Sequence, residues 1–137
     1  MELIVDANVL FSALIALNNK TAEILFSDEV TLYAPEYLLS ELAEHKEEIL
    51  EKSGLNEEDL EIFISLICTR IKLIDFMEFK RYIKEALTIT PDEDDSEYLA
   101  LALKLNCAVW SNDQKLKNQH KIKVITTSEL VQMIRLD

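Results

Sequence analysis

The sequence predicts the α/β class, with helices covering a parallel β-sheet, and three observations carry the prediction. Five short apolar runs, at residues 3–5, 30–34, 72–76, 107–111 and 123–126, are nearly continuous rather than alternating, the pattern of strands buried on both faces. Segments of helical periodicity separate them, so helical crossovers join the strands and the sheet is parallel. No repeat, linker or low-complexity tract divides the 137 residues, a length that supports one sizeable core. The expectation is a single domain over residues 1–137, arranged as three α/β/α layers.

The first strand stops at Asp6, after which Asn8, Val9, Leu10, Phe11, Leu14 and Ile15 fall at helical spacing. A second helical stretch covers residues 21–27, ahead of the second strand. Pro35 is placed to open a long helix, since its fixed φ and missing N–H suit a first turn. Gly54, the only glycine, ends that helix after Ser53 as a left-handed cap. Asn56 followed by Glu57, Glu58 and Asp59 has the acid-rich signature of a helix start. After the third strand come a helix over residues 78–87 and another that begins at Asp94 or Asp95 and ends near Asn106. Thr127, Ser128 and Glu129 cap a last helix through Met133 and Ile134.

Composition removes several function classes. Charges break the apolar runs well short of the roughly twenty residues a membrane helix needs, so no transmembrane span is expected. The first residues carry no basic region and no cleavage site, so nothing marks the chain for export and a cytoplasmic location is expected. Cys68 and Cys107 lie far apart in apolar stretches without neighbouring ligands, as buried free thiols of a reducing compartment do. One glycine is too few for a phosphate-cradling loop.

The 14 basic and 26 acidic residues leave a net charge of −12 and a pI near 4.6, the opposite of a general nucleic-acid binder. Either the substrate is not a polyanion, or metal ions and a local basic patch offset the charge at the site. Residues 114–124 favour the second reading, because they hold Lys115, Lys117, Lys121 and Lys123 and no acid. Lys80, Arg81 and Lys84 form a smaller cluster. Taken alone, both groups read first as solvated surface.

Sites in open parallel sheets form beyond the carboxyl ends of the strands, and here those positions are rich in acids. Asp6 closes the first strand, Asp113 follows the fourth, Glu41 lies about two turns into the helix after the second, and Asp92, Glu93, Asp94 and Asp95 precede the fourth. Carboxylates gathered in one crevice repel one another. A divalent cation removes the conflict, and Mg²⁺ and Mn²⁺ favour hard oxygen ligands. Such a centre supports hydrolysis at phosphorus. Each acid alone has a plainer reading: Asp6 and one of Asp92, Asp94 or Asp95 as helix caps, Glu41 as a solvated helix acid, and Asp113 as a loop acid. Four acids in a row exceed what capping needs, and Asn8 is placed either as a cap or to orient Asp6.

His45 stands one turn beyond Glu41, a ligand-like spacing, whereas His120 has no such neighbour; both read first as surface histidines. Trp110 reads as core. Asp6 as the nucleophile of a haloacid-dehalogenase-like phosphatase is disfavoured, because the position two residues on is Asn8, not a proton-donating acid.

Four segments carry a family likeness. Val5-Asp6-Ala7-Asn8-Val9-Leu10 resembles the opening of PIN domains, where a strand delivers an Asp followed by a small polar residue. PEYLLSEL, beginning at Pro35, resembles their second segment and puts its acid at Glu41; PDEDDSEYLALAL, beginning at Pro91, resembles the third and puts its acid at Asp95, with Asp92 or Asp94 as helpers. Trp110-Ser111-Asn112-Asp113 resembles the fourth, with Asp113 as the last acid and Ser111 supporting it. The likeness spans nearly the whole chain.

The resemblance implies a five-stranded parallel sheet in the order 3-2-1-4-5 and Mg²⁺- or Mn²⁺-dependent endoribonuclease activity, as in VapC-like toxins neutralised by an antitoxin and in RNA-processing nucleases. Asp6, Glu41, Asp95 and Asp113 are then expected to hold metal, Lys115 and Lys117 to touch phosphates of the RNA substrate, and Asn8, Ser111, Asp92 and Asp94 to support the ligands. The net charge favours a narrowly specific nuclease over a general one. The competing class is a non-catalytic PIN-fold module that binds RNA or protein within a larger assembly. A homodimer is expected from the segment at residues 60–68, which carries more apolar surface than one packing face requires, a pattern that equally suits a central core helix.

Overall fold

Leu3, Ile4 and Val5 are fully buried because β1 (Glu2–Val5) is the middle strand of a five-stranded sheet. The computed structural model describes residues 1–16, 20–90 and 92–134; Pro91, the first residue of the PDEDDSEYLALAL segment, lies outside them. The other strands are β2 (Thr31–Pro35), β3 (Ile71–Ile74), β4 (Ala108–Trp110) and β5 (Val124–Ile125). All pair in parallel, in the order β3-β2-β1-β4-β5, with Ile4 opposite Tyr33 on one side and Val5 opposite Trp110 on the other.

The helices are α1 (Ala7–Ile15), α2 (Lys20–Leu25), α3 (Tyr37–Glu44), α4 (Lys46–Ser53), α5 (Glu57–Cys68), α6 (Phe76–Phe79), α7 (Ile83–Ile89), α8 (Glu93–Leu105), α9 (Gln114–Lys117) and α10 (Thr127–Met133). Successive strands from β1 to β3 step one way along the sheet, while β4 and β5 lie on the other side of β1. Right-handed crossovers therefore put α1–α5 on one face and α6–α9 on the other. Tyr98, Leu99, Ala100, Leu101 and Ala102 of α8 are buried in succession, because this helix packs on β1, β2 and β4 and is itself covered by α6 and α7. Full burial of one leucine such as Leu99 contributes about 1.5–3 kcal/mol.

Several boundaries differ from the sequence expectation. Pro35 ends β2 rather than opening a helix: it lies beyond the reach of β1 and pairs only with Ile74 of β3, where a residue without N–H is tolerated. The long helix expected after it is two, because His45 leaves helical geometry at φ −99 and ψ 12, ending α3 and starting α4. The His45 ring instead packs edge-on against Phe11, with centroids 5.0 Å apart. Glu41 consequently sits about one turn into its helix, not two.

The helix expected over residues 78–87 is split by a 3-10 turn at Lys80–Tyr82, because Phe79 leaves helical geometry as its ring docks in the core. The third strand stops at Ile74, where Asp75 turns to cap α6 by accepting from the Met77 amide at 2.9 Å. The last helix is capped by Thr126 in a reciprocal box with Glu129, which frees Thr127 to accept from Trp110 Nε1 at 3.0 Å. Cys68 and Cys107 are free thiols but only half-buried. The expected cap at Gly54 is present, with φ 74, Asn56 caps α5, and the helix expected to end near Asn106 ends there, with Asn106 at positive φ.

Candidate active site

The chain reverses direction across the sheet at β1, so a crevice opens at the carboxyl ends of β1 and β4, where α/β proteins hold ligands. Asp6 is fixed there by the sheet itself: its amide donates to the Trp110 carbonyl at 3.0 Å, extending the β1–β4 ladder one residue past the strand. It stands at the N-cap position of α1, yet its side chain makes no capping bond. The carboxylate, on a residue only 6% exposed, is held by two neighbours instead. Ser111 Oγ donates to its Oδ2 at 2.7 Å and Asn8 Nδ2 donates to the same oxygen at 3.0 Å. Ser111 Oγ in turn accepts from Asn8 Nδ2 at 3.2 Å and from the Asp113 amide at 3.1 Å.

Burial raises the pKa of Asp6, the Ser111 bond opposes that rise, and the charge of Asp113 adds to it. Asp95, on the first turns of α8, is pushed up to about 7, by burial first and then by the charges of Asp6, Asp92, Asp113 and Glu41. Glu41 of α3 is also pushed up to about 7; burial dominates, Asp6 and Asp94 add to it, and a hydrogen bond from Tyr98 opposes it. Asp6 and Asp95 thus repel each other, and each repels Glu41 and Asp113, across one crevice.

The other acids have local duties. Asp92 caps α8 by accepting from the Asp94 amide at 3.0 Å, and Asp113 caps α9, a helix not foreseen in the sequence, by accepting from the Lys115 amide at 2.9 Å. Asp94 accepts from the Tyr37 hydroxyl at 3.0 Å. The two lysines of α9 differ. Lys117 Nζ donates to the Val124 carbonyl at 3.2 Å and pairs with Glu129, fastening α9 to the start of α10. Lys115 is exposed on the rim of a cavity of about 400 Å³ that Asp92 and Asp95 also line. Neither histidine joins the acids directly: His45 pairs with Glu48 at 3.5 Å, and His120 is exposed.

Two tyrosines escaped the sequence reading. Tyr98 is buried on α8 and its hydroxyl donates to Glu41 Oε1, tying α8 to α3. Tyr37 ties α3 to the start of α8 through Asp94. Their spacing was the available signal, since Tyr98 follows Asp95 by three positions and Tyr37 precedes Glu41 by four, which places each tyrosine on the same helix face as an acid.

Chemically, the crevice offers hard oxygen donors with an excess of negative charge. Among the described residues, no group of three or more His, Cys, Asp or Glu is close enough to hold a metal ion directly. The donor set therefore fits a hydrated divalent cation, of the kind that keeps several waters and uses few carboxylates, better than a stripped one.

A family model described as PIN domain matches residues 4–134. Among solved structures, the fold is similar to a chain of the crystal structure of VapBC2 from Rickettsia felis bound to a DNA fragment from their promoter, with a TM-score of 0.72, 18% identity, and coverage of 92% of this chain and 98% of that one. No curated protein matches the sequence.

Proposed function

The chain belongs to the PIN-domain family, and from that premise we propose that it is a divalent-metal-dependent endoribonuclease, hydrolysing RNA phosphodiester bonds with Mg²⁺ or Mn²⁺ as cofactor. The observation that carries this reading is the buried Asp6 carboxylate, held by Ser111 and Asn8 at the end of β1 beside further acids, a gathering of negative charge that a bound cation relieves. Asp6, Glu41, Asp95 and Asp113 would hold the hydrated ion, largely through its waters. Bound there, a divalent ion supplies charge stabilisation at phosphorus and a more acidic water.

The remaining work falls to the chain's own side chains. Ser111 and Asn8 fix the Asp6 carboxylate by hydrogen bonds to one oxygen, so its other oxygen keeps a constant direction. Tyr98 does the same for Glu41. Asp92 and Asp94 hold the start of α8, and with it Asp95. Lys115, exposed beside the acids, is suited to a phosphate of the RNA, and Lys117 reaches one only by leaving Glu129. With Lys117 committed to Glu129, α9 offers only Lys115 freely to a phosphate beside the acids, which suits a selective substrate rather than RNA in general.

Labelled RNA incubated with the protein and Mg²⁺ or Mn²⁺ tests the proposal. Cleavage is expected with either ion and is lost in chelator and in Asp6→Asn and Asp95→Asn. Undiminished cleavage in both variants, or cleavage indifferent to chelator, overturns it. The spacing of the acids favours one second reading, a PIN-fold module that binds RNA or protein without turnover; tight RNA binding with no cleavage under any divalent ion would select it.

By likeness to the VapBC2 assembly, an antitoxin-type protein is the proposed partner. A homodimer through the outer face of α5, where Ile62 is 53% and Leu66 48% exposed, is the proposed self-association, read by sedimentation.

A further inference from the structure

The cavity of about 400 Å³ beside Asp95 lies within the ~300–1,000 Å³ of small-ligand sites, and the roles of Asp95 and Lys115 at its edge leave its interior free. Ile89 and Leu116 supply aliphatic walls, Asp92 and Asn118 supply polar groups, and Lys115 stands on the rim. Apart from Asp95, which the ribonuclease reading gives to the metal, the charged lining is one carboxylate, Asp92, against one ammonium, Lys115, a balance that suits an uncharged ring in the interior. Aliphatic walls accept the faces of such a ring, and an ionised carboxylate can only accept hydrogen bonds from its edge. Asp92 commits Oδ1 to the Asp94 amide, which leaves Oδ2 for a ligand. Among the described residues the Lys115 ammonium joins no ion pair.

We infer that this cavity receives one unstacked base of the RNA substrate, next to the phosphate under attack, and that Asp92 selects a base bearing an exocyclic amine. The inference rests on the ribonuclease reading. A carboxylate accepts from the N4 amine of cytosine; uracil presents a carbonyl oxygen at that position and would set acceptor against acceptor. Lys115 on the rim then meets the phosphate joined to the bound nucleotide. Single-stranded RNA is commonly read in this way, by a base turned out of its stack and bonded at its edge.

Titration of the metal-free protein, followed by the amide resonances of Ile89, Thr90, Asp92 and residues 115–119, tests it with cytidine, uridine, hexacytidylate and hexauridylate. The expected result is binding of cytidine about tenfold or more tighter than uridine, with hexacytidylate tighter again. Asp92→Asn keeps the helix cap, since Asn caps as well as Asp, but puts an amide donor where the carboxylate oxygen stood. The preference should invert toward uridine. Equal affinities for cytidine and uridine, an unchanged preference in Asp92→Asn, or shifts elsewhere in the protein overturn the inference. Hexacytidylate binding no tighter than cytidine would assign the cavity to a free nucleoside and overturn it as an RNA site. Binding here needs neither metal nor turnover, so failure leaves the cleavage assay to stand or fall on its own.

Discussion

The hydroxyl of Tyr98 donates a hydrogen bond to the carboxylate of Glu41, joining the helix that follows β2 to the helix that precedes β4. Because Tyr98 is almost wholly buried and Glu41 partly so, this bond fixes where the carboxylate points and opposes the rise in pKa that burial imposes. Tyr98→Phe removes a bond that holds the Glu41 pKa down, and burial then acts with less opposition. The Glu41 titration midpoint, about 7 in the native protein, is expected to rise, as read by carbon NMR of the side-chain carboxyl. A midpoint that stays or falls would show that the phenol does not stabilise the charged form.

Stability should run against the usual direction near neutral pH. Asp95 and Glu41 are raised from 3.8 and 4.5 to about 7, so between those limits the folded chain binds more protons than the unfolded one. Their contribution is complete below the unfolded values and is lost as pH rises through about 7. Glu129, lowered from 4.5 to about 2, acts in the opposite sense but only at pH below its unfolded value, outside this window. In chelator, the urea midpoint is expected to be higher at about pH 5.5 than at about pH 7.5, and the difference should shrink in Asp95→Asn. A wild-type midpoint that climbs with pH over this range contradicts the raised pair.

A divalent ion that relieves the repulsion must bind the folded state more tightly than the unfolded. Mn²⁺ at a hundredfold excess over its dissociation constant would stabilise the fold by about 2.7 kcal/mol. A rise in melting temperature is expected in the native protein, with a much smaller rise in Asp6→Asn and Asp95→Asn. Equal rises in all three proteins would place the ion elsewhere.

Ser111 is fully buried, and its oxygen donates to Asp6 while accepting from Asn8 and the Asp113 amide. Ser111→Ala strips a donor from a buried carboxylate, at a cost of about 1–3 kcal/mol. The same change should raise the Asp6 pKa further, because the lost bond favours the charged form. Urea denaturation at neutral pH measures the first effect, and a loss below about 0.5 kcal/mol would mean that water replaces the hydroxyl.

Much was legible in the chain because it is written in local chemistry. The apolar runs at residues 3–5, 30–34, 72–76, 107–111 and 123–126 each overlap a strand, to within a residue or two at the ends, since a strand covered on both faces must be largely apolar. Gly54 and Asn106 end their helices at positive φ, as the residues most tolerant of that conformation do. Boundaries were lost where packing overrules preference: Pro35 is drawn into β2 by β3, and Phe79 breaks a helix to reach the core.

By itself, then, the sequence determined the five strands and most of the helical segments, the placing of Asp6 at the end of β1, and the likeness to PIN domains, because these follow from periodicity, capping and short motifs. Only the tertiary structure decided that Tyr98 meets Glu41, that Tyr37 meets Asp94, that Lys117 is bound to Glu129 while Lys115 stands beside a cavity, and that Asp95 feels four other acids at once. Those relations join residues far apart in the chain, and their strength depends on distance and burial, which exist only once the helices have packed against the sheet.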